Sequence, residues 1–169
     1  MNGRIVITSL ELTDPAGLRP ARPPRVEGLR VEVLDPPDGT VNRWFYATVG
    51  APHQWTDHLG RDDAWWQAHA RRCETHVASV GARRAGYFEL GRPRPDGVEL
   101  QYFGLLPAFQ GAGLGGHLLT VALRRALEVA ANGAGGRQRV WVRTGTLDGP
   151  HALANYEARG MRPYRREVT

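Results

Sequence analysis

Apolar and polar side chains alternate over Arg4–Leu12, the two-residue period of a strand with one buried face. Thr13–Gly28 breaks that pattern. Four prolines with arginines between them exclude regular structure there, and the segment is expected to be a loop. Leu29–Leu34 reads as a second short strand that ends at the turn Asp35-Pro36-Pro37-Asp38-Gly39. Val41–Val49, with Trp44, Phe45 and Tyr46 at its centre, predicts a helix in spite of its β-branched residues. Over Asp62–Val80, the positions of Ala64, Trp65, Ala68, Arg72 and His76 approach helical spacing, so one long helix capped by Asp62 is expected.

The second half is patterned more sharply. Arg84–Leu90 and Gly97–Leu105 flank the turn Pro93-Arg94-Pro95-Asp96-Gly97 and predict an antiparallel hairpin. Leu114–Ala131 carries Leu118, Leu119, Val121, Ala122, Leu123 and Leu127 on a wide apolar face and stops at Asn132-Gly133. Arg139–Thr144 predicts a strand. Pro150–Arg159 predicts a short helix, with Asp148 or Gly149 as its cap and Gly160 just past its end. Met161–Val168 is the last expected strand. The order is that of an α+β fold with a mixed sheet, and the length suits a single domain over residues 1–169.

Between the strand Gly97–Leu105 and the helix from Leu114 lies the most distinctive segment, Gln110-Gly111-Ala112-Gly113-Leu114-Gly115-Gly116, with four glycines in its last six positions. Glycine admits positive φ and close ligand approach, and a helix start presents unpaired N–H groups at its positive dipole end. Strand, glycine turn and helix therefore suggest a phosphate cradle. No Lys-Ser or Lys-Thr follows the glycines, which excludes the nucleoside-triphosphate loop. Gly111 to Gly116 also fits G-x-G-x-x-G, but the acidic residue at the required distance, Glu128, falls inside the predicted helix and not at a strand end. A glycine-rich connection without a ligand is the plain alternative.

Composition narrows the picture further. Hydrophobic residues make up 41% of the 169, so a packed core is expected. No apolar run approaches the roughly 20 residues that span a bilayer, and no charged-then-apolar leader is visible at the N-terminus. The single cysteine, Cys73, precludes an internal disulfide, and a cytoplasmic protein is expected. The net charge is +5, yet all 22 basic residues are arginine, scattered along a chain without lysine. This fits GC-rich codon usage better than a nucleic-acid surface, although arginines near the cradle would attract a polyanion. No metal-type cysteine pair occurs, and no metal is expected.

Three motifs in order carry a family resemblance: Leu105-Leu106-Pro107, Gln110-x-x-Gly113-x-Gly115, and Ala152-x-x-x-Tyr156-Glu157-x-x-Gly160-Met161. Together they resemble the GNAT superfamily of N-acetyltransferases from about Arg84 onward, with two departures: Met161 where phenylalanine is commoner, and Asp148 where asparagine is frequent. Trp44-Phe45-Tyr46, Trp55-Thr56-Asp57, Gly86-Tyr87-Phe88-Glu89-Leu90 and Thr146-Leu147-Asp148 look like an actinobacterial-type subgroup.

The resemblance implies a mostly antiparallel central sheet flanked by helices. The sheet would splay between the strand before the glycine loop and the strand that follows. Residues 1–83 would form the acceptor side and 84–169 the acetyl-CoA side. Backbone around Phe103, Leu105 and Leu106 would pair with pantetheine, and an N–H at Leu105 or Leu106 would polarise the thioester. Gln110, Gly111, Ala112, Gly113, Leu114, Gly115 and Gly116 would wrap the pyrophosphate, with Gln110 alternatively bracing the loop. Tyr156 would be the acid that protonates the leaving thiolate. Glu99 would be the base, with Glu89 in reserve. The aromatic residues Trp44, Tyr46, Trp55, Trp65 and Trp66 would mostly pack, one or two of them lining an acceptor pocket. The expected partner is a small-molecule amine, with no nucleic acid or membrane; dimers are common in the superfamily, which leaves a homodimer open alongside a monomer. A CoA-binding module without turnover, or an enzyme of another acyl-CoA, would use the same loop.

Overall fold

The computed structural model describes residues 3–133 and 135–169. Its strands are β1 (Val6–Leu12), β2 (Leu29–Val33), β3 (Cys73–Val80), β4 (Arg83–Gly91), β5 (Val98–Leu105), β6 (Val140–Gly145) and β7 (Arg162–Val168). Its helices are α1 (Gly39–Gly50), α2 (Asp63–Arg71), α3 (Leu114–Asn132) and α4 (Ala152–Ala158). The seven strands form one sheet in the order β2-β3-β4-β5-β6-β1-β7. Every neighbouring pair is antiparallel except β5 and β6, which run parallel.

One expectation fails. The long helix predicted over Asp62–Val80 ends at Arg71, and Cys73–Val80 is strand β3. Asp62 does cap α2, accepting from the Trp65 N–H at 2.8 Å. Beyond it, the β-branched Thr75, Val77 and Val80 sit in a strand paired on both sides, with β2 and with β4. Two ladders of hydrogen bonds and a half-buried pleat outweigh a helical spacing that only Arg72 and His76 extend.

The two faces of the sheet are covered differently. Leu118 and Leu123 of α3 pack with Leu10, Phe88, Leu100 and Val142 of the sheet, all buried. Under α1 a smaller core joins Val41, Phe45 and Val49 to Tyr87, with the Phe45 and Tyr87 rings stacked at 4.6 Å. Glu89 lies on this second face at 1% exposure. Its carboxylate accepts from Asn42 Nδ2 of α1 at 2.6 Å and meets His69 Nε2 of α2 at 2.7 Å. A buried carboxylate needs such partners, and here they lock both helices to the sheet.

The feature that makes room for a site is in β5. Glu89 pairs with Tyr102 and Leu90 with Leu100, so Gln101 is an extra residue on that strand. A bulge of this kind bends its strand. The bend follows the last contact with β6, since only Val98 and Glu99 pair with it. From there β5 and β6 diverge, and the splay expected from the sequence is present.

Gly160 sets the exit of α4. Its φ is +97°, and a Cβ there would collide with the Gly17 carbonyl oxygen. Gly160→Ala is therefore expected to cost about 2–4 kcal/mol in chemical denaturation, from left-handed strain plus the clash; a loss under about 0.5 kcal/mol would contradict this packing.

Candidate active site

The glycine segment forms as the sequence suggests. After β5, Pro107–Phe109 makes a short 3-10 turn, and Gly111 and Gly113 take φ of +85° and +76°. Gly113 stands at the N-cap of α3 and offers no side chain, so no capping group claims the first-turn N–H groups. A Cβ on Gly115 would approach Leu105 Cδ1 at 3.7 Å and Asn155 Nδ2 at 3.9 Å. Its absence keeps open the space between β5 and α4. Gln110 braces the loop, donating from Nε2 to the Leu105 carbonyl at 3.4 Å.

The gap between β5 and β6 continues from this cradle. Leu106 N–H donates to Ala85 O at 2.8 Å, so it is committed to the sheet. Amide directions alternate along a strand, which turns the Leu105 and Phe103 amides away from β4 toward the gap. Of the two amides proposed to polarise a carbonyl, Leu105 has the right direction and Leu106 does not. Phe103, Leu105, Gln110, Gly111, Gly113, Gly115 and Gly116 all line one cavity of about 760 Å³. Ala112 is exposed outside it, and Leu114 is buried at the foot of α3.

Tyr156 of α4 lines the same cavity, 7% exposed, with its ring centroid 6.3 Å from that of Phe103. Burial, and secondarily the Asp148 carboxylate, raise its hydroxyl above the ordinary tyrosine value. Glu99 is elsewhere. It precedes the bulge and lines a smaller cavity with His69, Arg72, Arg92 and Arg94, apart from Tyr156. Glu89, the reserve base, is enclosed by Asn42 and His69 behind Tyr102 and does not line the main cavity. The structure brings neither carboxylate to Tyr156.

The far end of the cavity is aromatic. Trp55 lies 5.3 Å from Tyr102 and 5.7 Å from Tyr46 between ring centroids, with Tyr46 and Tyr102 edge to face at 5.5 Å. Of the aromatic residues singled out between positions 44 and 66, Trp55 lines the cavity. Trp66 is core, Trp65 stacks on His69, and exposed Trp44 faces Arg84. Tyr102 escaped the sequence reading because only the bulge reveals which face it occupies.

Asp148 also has a different role from the helix cap expected of it. It accepts from Thr144 Oγ1 at 2.7 Å, Gly145 N–H at 2.9 Å and Trp55 Nε1 at 3.3 Å. The cap position of α4 is His151, without a side-chain bond. Asp148 thus joins the loop after β6 to the segment before α2, and places a carboxylate on the cavity wall. His53, on the same wall, sits against Gly149, 3.2 Å from where a Cβ would be.

Behind this wall, His69, Cys73 and Glu89 bring ligand-type atoms within 4.8 Å of one another. The 2.7 Å hydrogen bond between His69 and Glu89 already engages two of them.

The sequence pattern of the acetyltransferase (GNAT) family matches residues 41–161, and the chain belongs to that family. Solved structures with the same fold include a GCN5-related N-acetyltransferase from Sphaerobacter thermophilus (16% identity, 98% of this chain and 50% of that one, TM-score 0.63). Another is an acetyltransferase from Bacillus subtilis in complex with CoA (22% identity, 79% of this chain and 76% of that one, TM-score 0.56). A GCN5-related N-acetyltransferase from Kribbella flavida matches at 16% identity over 99% of this chain and 57% of its own length, TM-score 0.61. The chain spans 60%, 50% and 57% of the first three structures compared. A comparison with curated proteins finds no match. No helix among the described residues is long and apolar enough to cross a membrane.

Burial and then the Glu89 charge push the Cys73 thiol up to about 12. At pH 8 its alkylation in the native protein should be roughly a thousandfold slower than in denaturant, because the thiolate is the reactive form. Native and denatured rates within tenfold of each other would contradict the enclosed position of Cys73.

Proposed function

We infer that this chain transfers the acetyl group of acetyl-CoA directly to the primary amine of a small molecule or amino-acid-like acceptor. The observation that carries this reading is continuity: one cavity joins the glycine cradle, the gap in the sheet, Tyr156 and the aromatic end. The residues suit the donor. The start of α3 meets a pyrophosphate with N–H groups and a positive dipole end. The outward amides of Phe103 and Leu105 suit the amide-bearing pantetheine arm, as an added strand would be received.

Acetyl-CoA supplies a thioester whose carbonyl carbon the amine attacks, giving an amide and the free thiol. The chain's own groups provide the rest. Leu105 N–H is the donor placed to take up charge at the carbonyl oxygen. Tyr156 gives its proton to the departing sulfur. A hydroxyl with a raised pKa remains protonated across the neutral range, so the proton the departing sulfur needs is held in place there. At the acceptor end, the Asp148 carboxylate at the edge of Trp55, with Tyr102 on the same cavity, suits a cationic amine. His53, one of the imidazoles on the cavity wall, is the group assigned here to accept the amine proton. In this reading Glu99, in its separate cavity, does not deprotonate the acceptor. The actinobacterial-type assignment rests on the quoted tryptophan, tyrosine and aspartate motifs, and a reducing, cytoplasmic setting agrees with the lone cysteine.

Thiol release from acetyl-CoA with a panel of amines tests the activity directly; CoA binding without acetyl transfer to any amine would favour a binding module. Tyr156→Phe is expected to lower kcat by about 10²-fold with little change in acetyl-CoA affinity. Because the hydroxyl pKa is raised, the step that uses its proton should persist at high pH, with no Tyr156-dependent fall in kcat below about pH 10. Near-normal turnover by the variant would remove the acid role.

A further inference from the structure

The proline- and arginine-rich segment Thr13–Gly28 lies across the start of α3, away from the aromatic end of the cavity. Ala21 N–H donates to Thr120 Oγ1 at 3.0 Å, and that hydroxyl donates to Gly116 O at 2.8 Å. A Cβ on Gly116 would lie 3.0 Å from Ala21 Cβ, and one on Gly113 would lie 4.0 Å from Pro24 Cβ. Arg19 N–H donates to Arg159 O at 2.9 Å, which ties the segment to the end of α4 as well. Pro20, Pro23 and Pro24 stiffen the strap.

These anchors bring two cationic residues of the strap next to the cradle. Arg22 falls between the two points, Ala21 and Pro24, that touch the cradle, and Arg25 follows directly. Both are exposed, and neither belongs to an ion pair among the described residues. Arg159 reaches the same turn. Its Nη1 is 2.5 Å from where a Gly116 Cβ would be, and its Nε is buried without a partner. A buried guanidinium N–H left unpaired is costly and points to an acceptor. Glycine at 116 is what lets that guanidinium lie against the helix.

We propose that Arg22 and Arg25 of the strap, with Arg159, form a second anion subsite beside the pyrophosphate cradle that takes the 3′-phosphate of CoA. This rests on CoA being the donor. A phosphomonoester carries about −1.5 to −2 charge near neutrality, and planar guanidinium forks match its oxygens in pairs. A diphosphate already seated on the α3 N-terminus leaves the adenosine end of the ligand to the surroundings of that turn. The strap and Arg159 are among the groups that border it. The inserted segment therefore serves the donor, and the acceptor end is left to Trp55, Tyr102 and Asp148.

Calorimetric titration of the full chain with CoA and with 3′-dephospho-CoA tests the proposal. The wild-type protein should bind CoA about tenfold or more tightly than the dephospho form, a margin that shrinks as salt is added. The surface double variant Arg22→Gln/Arg25→Gln should bind 3′-dephospho-CoA as the wild type does and lose most of that margin; Arg159→Gln should do the same. Equal wild-type affinity for the two ligands would overturn the subsite. So would a double variant that weakens both ligands alike, because the arginines would then serve the diphosphate or the fold. Binding of neither ligand by the folded wild type would instead overturn the donor reading itself, and the subsite with it.

Discussion

The parting of β5 from β6 is the constraint on which the rest of the molecule turns. One residue too many, Gln101, bends β5 just after its last contact with β6 at Glu99. A sheet that stayed paired would use the Phe103 and Leu105 amides internally and would leave no passage between strands. Once parted, the strands need partners for those amides and a wall for the opening. The first-turn N–H groups of α3 lie at one end of the opening, Tyr156 beside it, and the aromatic group at the other. The same bend fixes which carboxylates take part. Glu99 precedes it and faces another cavity, whereas Asp148, from the loop after β6, lies on the main one.

The two sides of the site are built on different physical terms. The glycine-turn side is mostly backbone: positive-φ glycines, uncapped N–H groups and strand amides, with Gln110 as a brace. The aromatic side is mostly side chain. Tyr46, Trp55 and Tyr102 meet around it, and the Glu89 carboxylate behind them joins Asn42 and His69. Burial, and then the Glu89 charge, raise the Tyr102 hydroxyl, so that ring offers the acceptor a neutral surface. A backbone-built half depends little on side-chain identity beyond its glycines, whereas the other half can be altered by changing a few rings.

That division explains what could be read from the sequence. The glycine turn, α3 and the hairpin of β4 and β5 were legible because local spacing alone determines them. Tyr156 was legible through its motif. β3 was not, since its strand form depends on being paired by β2 and β4, partners that no local window contains. Glu99 looked well placed because a bulge cannot be counted from alternation in a single strand. Asp148 was read as a cap because the sequence places it just before a helix; its bonds to Thr144, Gly145 and Trp55 come from three parts of the chain. The position of the Pro-rich segment likewise follows from Thr120 and Arg159, about 100 or more residues away.

The arginine-only character of the chain has a chemical consequence if, as proposed, an activated acyl group is bound here. With 22 arginines and no lysine, its side chains present no primary amine. Guanidinium groups hold their protons at any physiological pH and are poor nucleophiles. The strap and the end of α4 can therefore gather cationic groups beside the glycine turn without presenting an amine to an acyl thioester. A lysine-rich surface of equal charge would be exposed to slow acylation by such a thioester, each event erasing a positive charge. Here the attraction and the inertness come from the same residue type.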